Sequence, residues 1–466
     1  MCKPWNKLRG FTCLFRENFF GGFAVMKVGM IFGDGVSGKG AKEILKKMKY
    51  EIILVDDKTG MTSDSAEELL DKVDLFIKSP GVPYNNLVKK AIEMKVEVID
   101  EIELAYRYMK SSDMKTKIIA VTGSNGKTTV TSKITELLQM AGYKCEHAGN
   151  IGNSFGQLIL DRPDLEYAVL ELSSFQLENL KEFKADVAMV VNLSPDHLNR
   201  YPSKEEYFDA KFNIGKNQTE EDIFIYNLND ADSLKRIGKI TGTKLGVTVT
   251  EKGKDEAVCC TDGKNVVYRG RAVAENEKLS LKGKHNLENT LFIVTAAEQV
   301  GVDEETIRKF LYHTKSLEHR MERFWQWKNV LFINDSKGTN LDSTSFAIDA
   351  YKGAILVCGG RDKGLPLEDL VKQINSNIKE VYLIGQMSER FREALLLGGY
   401  PNERIFPLVT MENVVKALRE KLSGDEKDVV LLSPTTESYD QFPNFEVRGK
   451  TFKELVKKYF PEGEEL

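Results

Sequence analysis

Gly123, Gly126, Lys127, Thr128 and Thr129 stand together in Val121-Thr-Gly-Ser-Asn-Gly-Lys-Thr-Thr129, directly after the apolar run Ile118-Ile119-Ala120. A β-branched strand, a glycine turn and a Lys-Thr pair opening a helix make a cradle for phosphate. The glycines let backbone N–H groups approach an anion, and the helix N-terminus adds partial positive charge. Lys127 supplies a mobile cation for terminal phosphates and Thr128 a hydroxyl for Mg²⁺, with Ser124 and Asn125 filling the turn. The outer glycine of the usual Gly-x-x-x-x-Gly-Lys pattern is Val121 here, so the loop is a compact variant. An ordinary strand–turn–helix corner with an exposed lysine is the alternative, which the order of these residues disfavours. ATP is the expected ligand.

Other residues point to the same chemistry. Glu171 ends the apolar run Tyr167-Ala-Val-Leu170, where a nucleotide-hydrolysing sheet keeps a carboxylate for Mg²⁺. His197 lies in Ser-Pro-Asp-His beyond a strand expected at Val187–Asn192, and the carboxyl ends of strands are where open α/β sheets collect ligands. A lone histidine is more often a packing residue; its place at the same sheet edge as Lys127 and Glu171 favours a functional one. Lys211 sits about two turns into a helix opened by the capping box Ser203-Lys-Glu-Glu206, between Phe208 and Phe212. Apolar neighbours lower an amine's pKa and make it nucleophilic enough to capture CO₂ as a metal-binding carbamate. On the residues alone, a lysine lying along the surface with its ammonium in water is the stronger reading. Asn286 and Asn289 place amides one turn apart at a helix start, suited to an adenine edge or to capping.

Two further regions carry polar loops at strand ends. Gly33-Asp-Gly35-Val-Ser37-Gly38-Lys-Gly40, with Asp56 and Asp57 ending the next strand, has the spacing of a dinucleotide grip. Alone it suggests a nicotinamide dehydrogenase, although the same grip serves other nucleotide diphosphates. Ser79-Pro80-Gly81 is expected to wall that pocket. In the last third, Asn334-Asp335-Ser-Lys337-Gly-Thr339, Gly359-Gly360-Arg361-Asp362-Lys363-Gly364 and Ser433-Pro434 with Ser438 to Phe445 read together as a substrate site.

These residues need sheets to hold them. Strand-like and helical stretches alternate along the 466 residues, which predicts parallel sheets flanked by helices in three α/β domains. The expected divisions are an extension at 1–25, then 26–113, 114–316 and 317–466. A helix is predicted at Ala41–Met48 after the glycine turn, and the stretch 242–281 reads as irregular hairpins. Charged residues make up 29% with a net charge of −4, which argues against a general nucleic-acid binder. Six cysteines without a Cys-x-x-Cys pair suggest neither zinc nor disulfides, and a reducing cytoplasm is expected. Residues 1–25 are too interrupted by charge for a signal peptide and too short for a membrane span; Met26 is expected to be the natural start.

Taken together, the segments resemble the ATP-dependent muramyl peptide ligases of bacterial wall synthesis. Thr-Gly-Ser-Asn-Gly-Lys-Thr-Thr129, Leu170-Glu-Leu-Ser-Ser-Phe-Gln176, Asp196-His197, Gly283-Lys-His-Asn286 and Asn334-Asp-Ser-Lys337 occur in the family's order over about residues 26–460. Leu432-Ser-Pro434 followed by Ser438-Tyr-Asp-Gln-Phe-Pro-Asn-Phe445 looks like the D-glutamate-adding branch. The resemblance implies a Rossmann-like N-terminal domain for the uridine nucleotide, a central P-loop ATPase domain with a parallel sheet, and a Rossmann-like C-terminal domain for the amino acid. It implies that Thr128 and Glu171 hold one Mg²⁺, and His197 and a carbamylated Lys211 a second. It assigns Gly35, Ser37, Asp56, Asp57, Ser79, Asn150 and Ser173 to the sugar-peptide substrate, and Asn286, Asn289, Arg320 and Asp335 to ATP. Lys337, Thr339, Lys363, Ser438 and Phe445 would place D-glutamate. The implied reaction joins D-glutamate to UDP-N-acetylmuramoyl-L-alanine through an acyl phosphate, in a cytoplasmic monomer with no nucleic-acid partner and no membrane span. Two departures stand out: Thr435-Thr436-Glu437 replaces the small residues usual before the matching serine, and Asn199 stands where aspartate is common.

Overall fold

The computed structural model describes residues 26–195 and 200–466; the expected extension at 1–25, and His197, lie outside them. The chain builds three sheets in succession. The first is all parallel: β1 (Val28–Phe32), β2 (Glu51–Val55), β3 (Leu75–Lys78) and β4 (Glu97–Ile99), in the order β2-β1-β3-β4. The second contains β5 (Lys117–Thr122), β6 (Cys145–Gly149), β7 (Tyr167–Glu171), β8 (Val187–Val190), β9 (Ile223–Asn227), β10 (Thr243–Thr248), β11 (Cys259–Thr261), β12 (Asn265–Tyr268) and β13 (Arg271–Glu275). Its order is β13-β12-β11-β10-β9-β8-β5-β7-β6, parallel from β6 to β11 and antiparallel over β11-β12-β13. The stretch expected to be irregular hairpins is therefore half right: β10 and β11 extend the parallel sheet, and only β12 and β13 fold back.

The third sheet holds β14 (Glu322–Trp327), β15 (Val330–Asn334), β16 (Ala354–Gly359), β17 (Ile378–Ile384), β18 (Ile405–Val409), β19 (Asp428–Leu432) and β20 (Glu464–Glu465). In the order β18-β17-β16-β19-β15-β14-β20, the first five strands are parallel and the last two antiparallel. Runs such as Ala354-Ile-Leu-Val-Cys358 are apolar on both faces because helices cover both sides of a parallel sheet, and every residue of β16 is buried. Separate apolar clusters then form on the two faces: Leu356 and Cys358 pack with Leu370 and Ile374, while Ile355 and Val357 pack with Val415 and Phe452.

The first helix runs Val36–Lys47, earlier than the predicted Ala41, so Gly38 and Gly40 are helical rather than part of a turn. Their lack of a side chain has a packing reason. A Cβ on Gly38 would lie 1.9 Å from the Gly33 carbonyl oxygen, and one on Gly40 2.0 Å from Ser154 Oγ. The second contact belongs to the junction between the first two sheets. There the buried Glu103 carboxylate accepts from the backbone N–H groups of Lys181, Glu182 and Phe183 at 2.9–3.0 Å. Arg200 adds a bond of 2.7 Å to the Pro80 carbonyl.

Candidate active site

The phosphate loop forms where β5 ends. Gly123 has φ +148° and Gly126 φ +82°, conformations that only glycine adopts without strain. Gly126 also lets Asn289 approach, since a Cβ there would sit 2.4 Å from Asn289 Oδ1. The loop is tied to the chain following β8: Ser124 N–H donates to the Asn192 carbonyl (2.9 Å), Asn125 N–H to Asn192 Oδ1 (2.9 Å) and Ser124 Oγ to the Ser194 carbonyl (2.8 Å). With Ser124 and Asn125 so engaged, the N–H groups of the first turn of the Lys127–Met140 helix, which have no intrahelical acceptor, remain to meet an anion. Asn192 was missed in the sequence, although it is the polar residue ending an apolar run.

Both predicted lysines reach this loop. Lys127 Nζ donates to the carbonyls of Gly123 (2.8 Å) and Ser124 (2.9 Å). Lys211 is buried, not lying in water; its Nζ donates to the same Gly123 carbonyl at 2.9 Å and sits 4.6 Å from the Tyr207 ring centroid. Of the capping box expected at Ser203–Glu206 one half is formed, the Ser203 hydroxyl accepting from Glu206 N–H at 3.2 Å, while the Glu206 carboxylate faces that hydroxyl at 3.5 Å. Across the sheet edge, Glu171 is buried; its Oε1 accepts from Asn150 Nδ2 at 2.7 Å, while Oε2 is buried without a hydrogen-bond partner among the described residues.

The third sheet supplies the opposite wall. Half-buried Arg320 donates from Nη2 to Thr128 Oγ1 at 2.6 Å, and desolvation holds its guanidinium below its ordinary pKa. Asp335 directly follows the strand β15 in a buried position where desolvation pushes its carboxyl up to about 7, against the donors Ser433 Oγ (2.8 Å) and Met321 N–H (3.2 Å). Lys337 Nζ lies 3.7 Å from the Phe445 ring centroid. Burial, then the Arg320 charge, brings that ammonium down to about 8.

A cleft of about 690 Å³ runs between these walls, lined by Lys127, Thr128, Asn150, Glu171, Arg320, Lys337, Thr339 and Phe445 among others. A smaller adjoining recess is lined by Thr129, Asn286, Asn289, Asp335, His285 and Phe346. The asparagine pair meets at 3.4 Å, and His285 stacks on Phe346 with centroids 5.7 Å apart. Sequence reasoning also missed His147, Ser132, His319, Glu446 and Lys450 on the cleft wall, none of which lies in a recognisable motif.

Other predicted residues stand apart. Ser173 caps the short Ser174–Leu177 helix through Gln176. Gly35 caps the Val36–Lys47 helix, which Ser37 helps begin. Asp56 accepts from the N–H groups of Asp34 and Lys58 (both 2.9 Å), donors that lower its pKa, and Asp57 accepts from Ser63 N–H (2.6 Å). Ser79 Oγ donates to the Gly33 carbonyl at 3.1 Å, so the two early loops do adjoin. The glycine spacing that suggested a nicotinamide grip is therefore accounted for at Gly38 and Gly40 by packing. Lys363 and Ser438 lie outside the cleft lining, on the loops after β16 and β19, with Lys363 paired to Glu437 at 2.9 Å. Among the described residues, one His–carboxylate cluster, Glu318-His319-Glu322, already holds Lys453 Nζ between its acids. No described helix is long and apolar enough to cross a membrane.

The Mur ligase middle-domain model matches residues 121–297 and the Mur ligase glutamate-ligase domain model residues 319–436. A UDP-N-acetylmuramoylalanine–D-glutamate ligase of Fusobacterium nucleatum is 48% identical over 435 residues, covering 93% of this chain and 100% of that one. The chain belongs to the Mur ligase family. A second Mur ligase of the same name, from a Thermoanaerobacter species, is 36% identical over 92% of this chain and 97% of its own. Among solved Mur ligases, the UDP-N-acetylmuramate–alanine ligase of Thermotoga maritima superposes with a TM-score of 0.58 at 17% identity, over 93% of this chain and 99% of that one. A MurF ligase of the same organism, in complex with ADP, gives a TM-score of 0.57 at 17% identity, over 88% and 95%. The three-sheet α/β architecture is thus that of the Mur ligases.

Proposed function

We propose that this Mur ligase joins D-glutamate to the carboxylate of UDP-N-acetylmuramoyl-L-alanine, with cleavage of ATP to ADP and phosphate. The observation that carries the reading is the meeting of the Lys127 loop and Glu171 with Arg320 and Lys337 of the third sheet across one cleft. The chemical problem is that a carboxylate is a poor electrophile at neutral pH. Attack of its oxygen on the γ-phosphorus gives an acyl phosphate and releases ADP. The D-glutamate amine then adds to the activated carbonyl, loses a proton, and phosphate leaves from the tetrahedral intermediate. Lys127, Arg320 and the helix N-terminus neutralise charge on the transferring phosphoryl group, chiefly by position. Asn286 and Asn289 face the purine in the adjoining recess, with Thr129 and Asp335 beside the ribose and phosphates. Asn150 and the N-terminal loops at Gly35, Ser37, Asp56, Asp57 and Ser79 take the uridine nucleotide, and Lys337, Thr339, Lys363, Ser438 and Phe445 take the amino acid.

The donor set suits magnesium: a buried carboxylate oxygen on Glu171 without a partner among the described residues, and the Thr128 hydroxyl in the same cleft. Mg²⁺ there supplies charge neutralisation and orientation of the phosphates. A carbamate on Lys211, with His197, is the proposed holder of a second ion; the burial of Lys211 on the Gly123 carbonyl supports its place beside the phosphate loop. Because an acyl phosphate hydrolyses readily, the third sheet packed over the loop serves to exclude water. The test supplies UDP-N-acetylmuramoyl-L-alanine, ATP and Mg²⁺ with a panel of D- and L-amino acids, and identifies the amide by mass spectrometry. Amide with D-glutamate is expected; amide with a different amino acid alone overturns the specificity.

A further inference from the structure

Glu437 adds a negative charge to loops read as receiving an acidic amino acid, and its placement gives that charge a use. β15, β19 and β16 are neighbours in the third sheet, and their carboxyl ends carry Lys337–Thr339, Thr435–Ser438 and Gly360–Gly364. Only the first of these loops lines the cleft where phosphate chemistry is proposed. An amino acid whose amine reaches that cleft extends its distal carboxylate along the sheet edge toward β19 and β16. Of the cations on that edge, Lys363 is the one held by Glu437, its Nζ paired with Glu437 Oε1 at 2.9 Å.

The backbone under Glu437 is pinned on both sides. Its own carbonyl accepts from Arg361 N–H (2.9 Å), and the preceding Thr436 carbonyl accepts from both terminal nitrogens of buried Arg448 (3.1 Å each). Gly360 is packed so closely that a Cβ there would fall 2.3 Å from the Glu437 carbonyl oxygen. Only the side chain is left to move, and it and Lys363 are 35% and 32% exposed. Neighbouring acids have other partners: Asp362 takes Arg390 (2.6 Å) and Asp440 takes the Gln386 N–H (2.9 Å).

We propose that Glu437 is an internal stand-in for the substrate's distal carboxylate, holding Lys363 until the acidic amino acid displaces it and thereby setting the affinity for that amino acid. The proposal rests on the amino-acid placement proposed above. Displacement is cheap because a part-exposed ion pair shifts an equilibrium by no more than about fivefold. The fixed backbone also lets the carboxylate swing away without moving the loop. The alternative is a carboxylate that holds the substrate ammonium, and this predicts the opposite change.

The experiment measures initial rates of the full chain against D-glutamate concentration, with ATP, Mg²⁺ and UDP-N-acetylmuramoyl-L-alanine saturating, for the wild type, Glu437→Gln, Glu437→Ala and Glu437→Asp. The expected result is a KM for D-glutamate about threefold to fivefold lower in the Gln and Ala variants. kcat should stay within about twofold and the Asp variant close to wild type, a split that a merely structural role would not produce. An unchanged or raised KM in both neutral variants overturns the proposal. A wild-type enzyme that makes no amide from D-glutamate instead overturns the reading on which it rests.

Discussion

Lys127 and Lys337 approach the cleft from opposite walls, and their surroundings give them different tasks. Lys127 is held over its own loop by two carbonyls, a geometry that lets the ammonium transfer to a phosphate with little rearrangement. Replacing it with alanine is expected to lower phosphate release by about 10³-fold or more, the scale of losing a charge aimed at a transferring phosphoryl group. A coupled phosphate assay checks this, and a variant within tenfold of wild type would contradict the proposed role. Lys337 is brought to about 8 by burial and by the neighbouring Arg320 charge. Its ammonium is therefore present below that pH and lost above it. The expected kcat/KM for the anionic substrates falls through an alkaline limb near pH 8. Lys337→Arg should remove the limb, because guanidinium stays charged. A profile flat up to pH 10 in the wild type would show that Lys337 carries no binding charge.

At the scale of elements, the Val36–Lys47 helix makes a sharper case than any strand. In Gly38→Ala the new methyl meets backbone, the Gly33 carbonyl, so the helix has to move as a body. The cost expected is about 1–3 kcal/mol, typical of overpacking. Chemical denaturation measures it, and the KM for the uridine nucleotide should rise while that for ATP stays put. The same helix shows where sequence reading stops. Glycine at 38 and 40 read as loop because glycine spacing is the same whether backbone must approach a ligand or another element. The strands β1, β15 and β16 were legible because apolar runs buried on both faces leave few alternatives, and β2 was legible from its Ile52–Val55 run although it lies half-buried at the sheet margin. β14, β18 and β20 were not: Glu322-Arg-Phe-Trp-Gln-Trp mixes polar and apolar residues without a clean run, Ile405-Phe-Pro-Leu-Val is an edge strand interrupted by proline, and two residues pairing at the sheet margin leave no periodicity to read. At the site, residues inside a motif were found and those on the facing wall were not. His147 and His319 reach the cleft only through the way the second and third sheets meet. Lys211 shows the limit most plainly, since its flanking phenylalanines suit a surface stem as well as a buried amine, and the choice depends on Gly123, far away in the chain.

For the molecule as a whole, Arg320 is the connection that matters. It begins the third unit of the chain, yet its guanidinium is bonded to Thr128 on the phosphate-loop helix, and the charges of Glu171 and Asp335 both act on it. In this arrangement one cation stands where magnesium and the terminal phosphates are proposed to lie. On the proposed placement, Thr128 and Glu171 would hold Mg²⁺ with the nucleotide, and Arg320 would turn from the hydroxyl onto phosphate oxygens, so that the third sheet stayed attached through the ligand. Charge-assisted, fork-shaped contacts of this kind are among the stronger polar interactions available. Arg320→Ala should therefore act twice. The KM for ATP is expected to rise by about 10–100-fold, the range for losing a guanidinium contact to phosphate in a water-excluded site. Without nucleotide, loss of the Thr128 bond should loosen the second and third sheets, leaving among the described residues weaker links such as the 3.5 Å contacts of Asn340 and Ser343 to Asn125 and the His285–Phe346 stack. Small-angle scattering then reads a larger radius of gyration for the variant than for the wild type in the same buffer, and Lys in place of Ala should restore part of the compactness but not the ATP affinity. Equal scattering curves with an unchanged KM would mean that Arg320 neither joins the sheets nor meets the nucleotide.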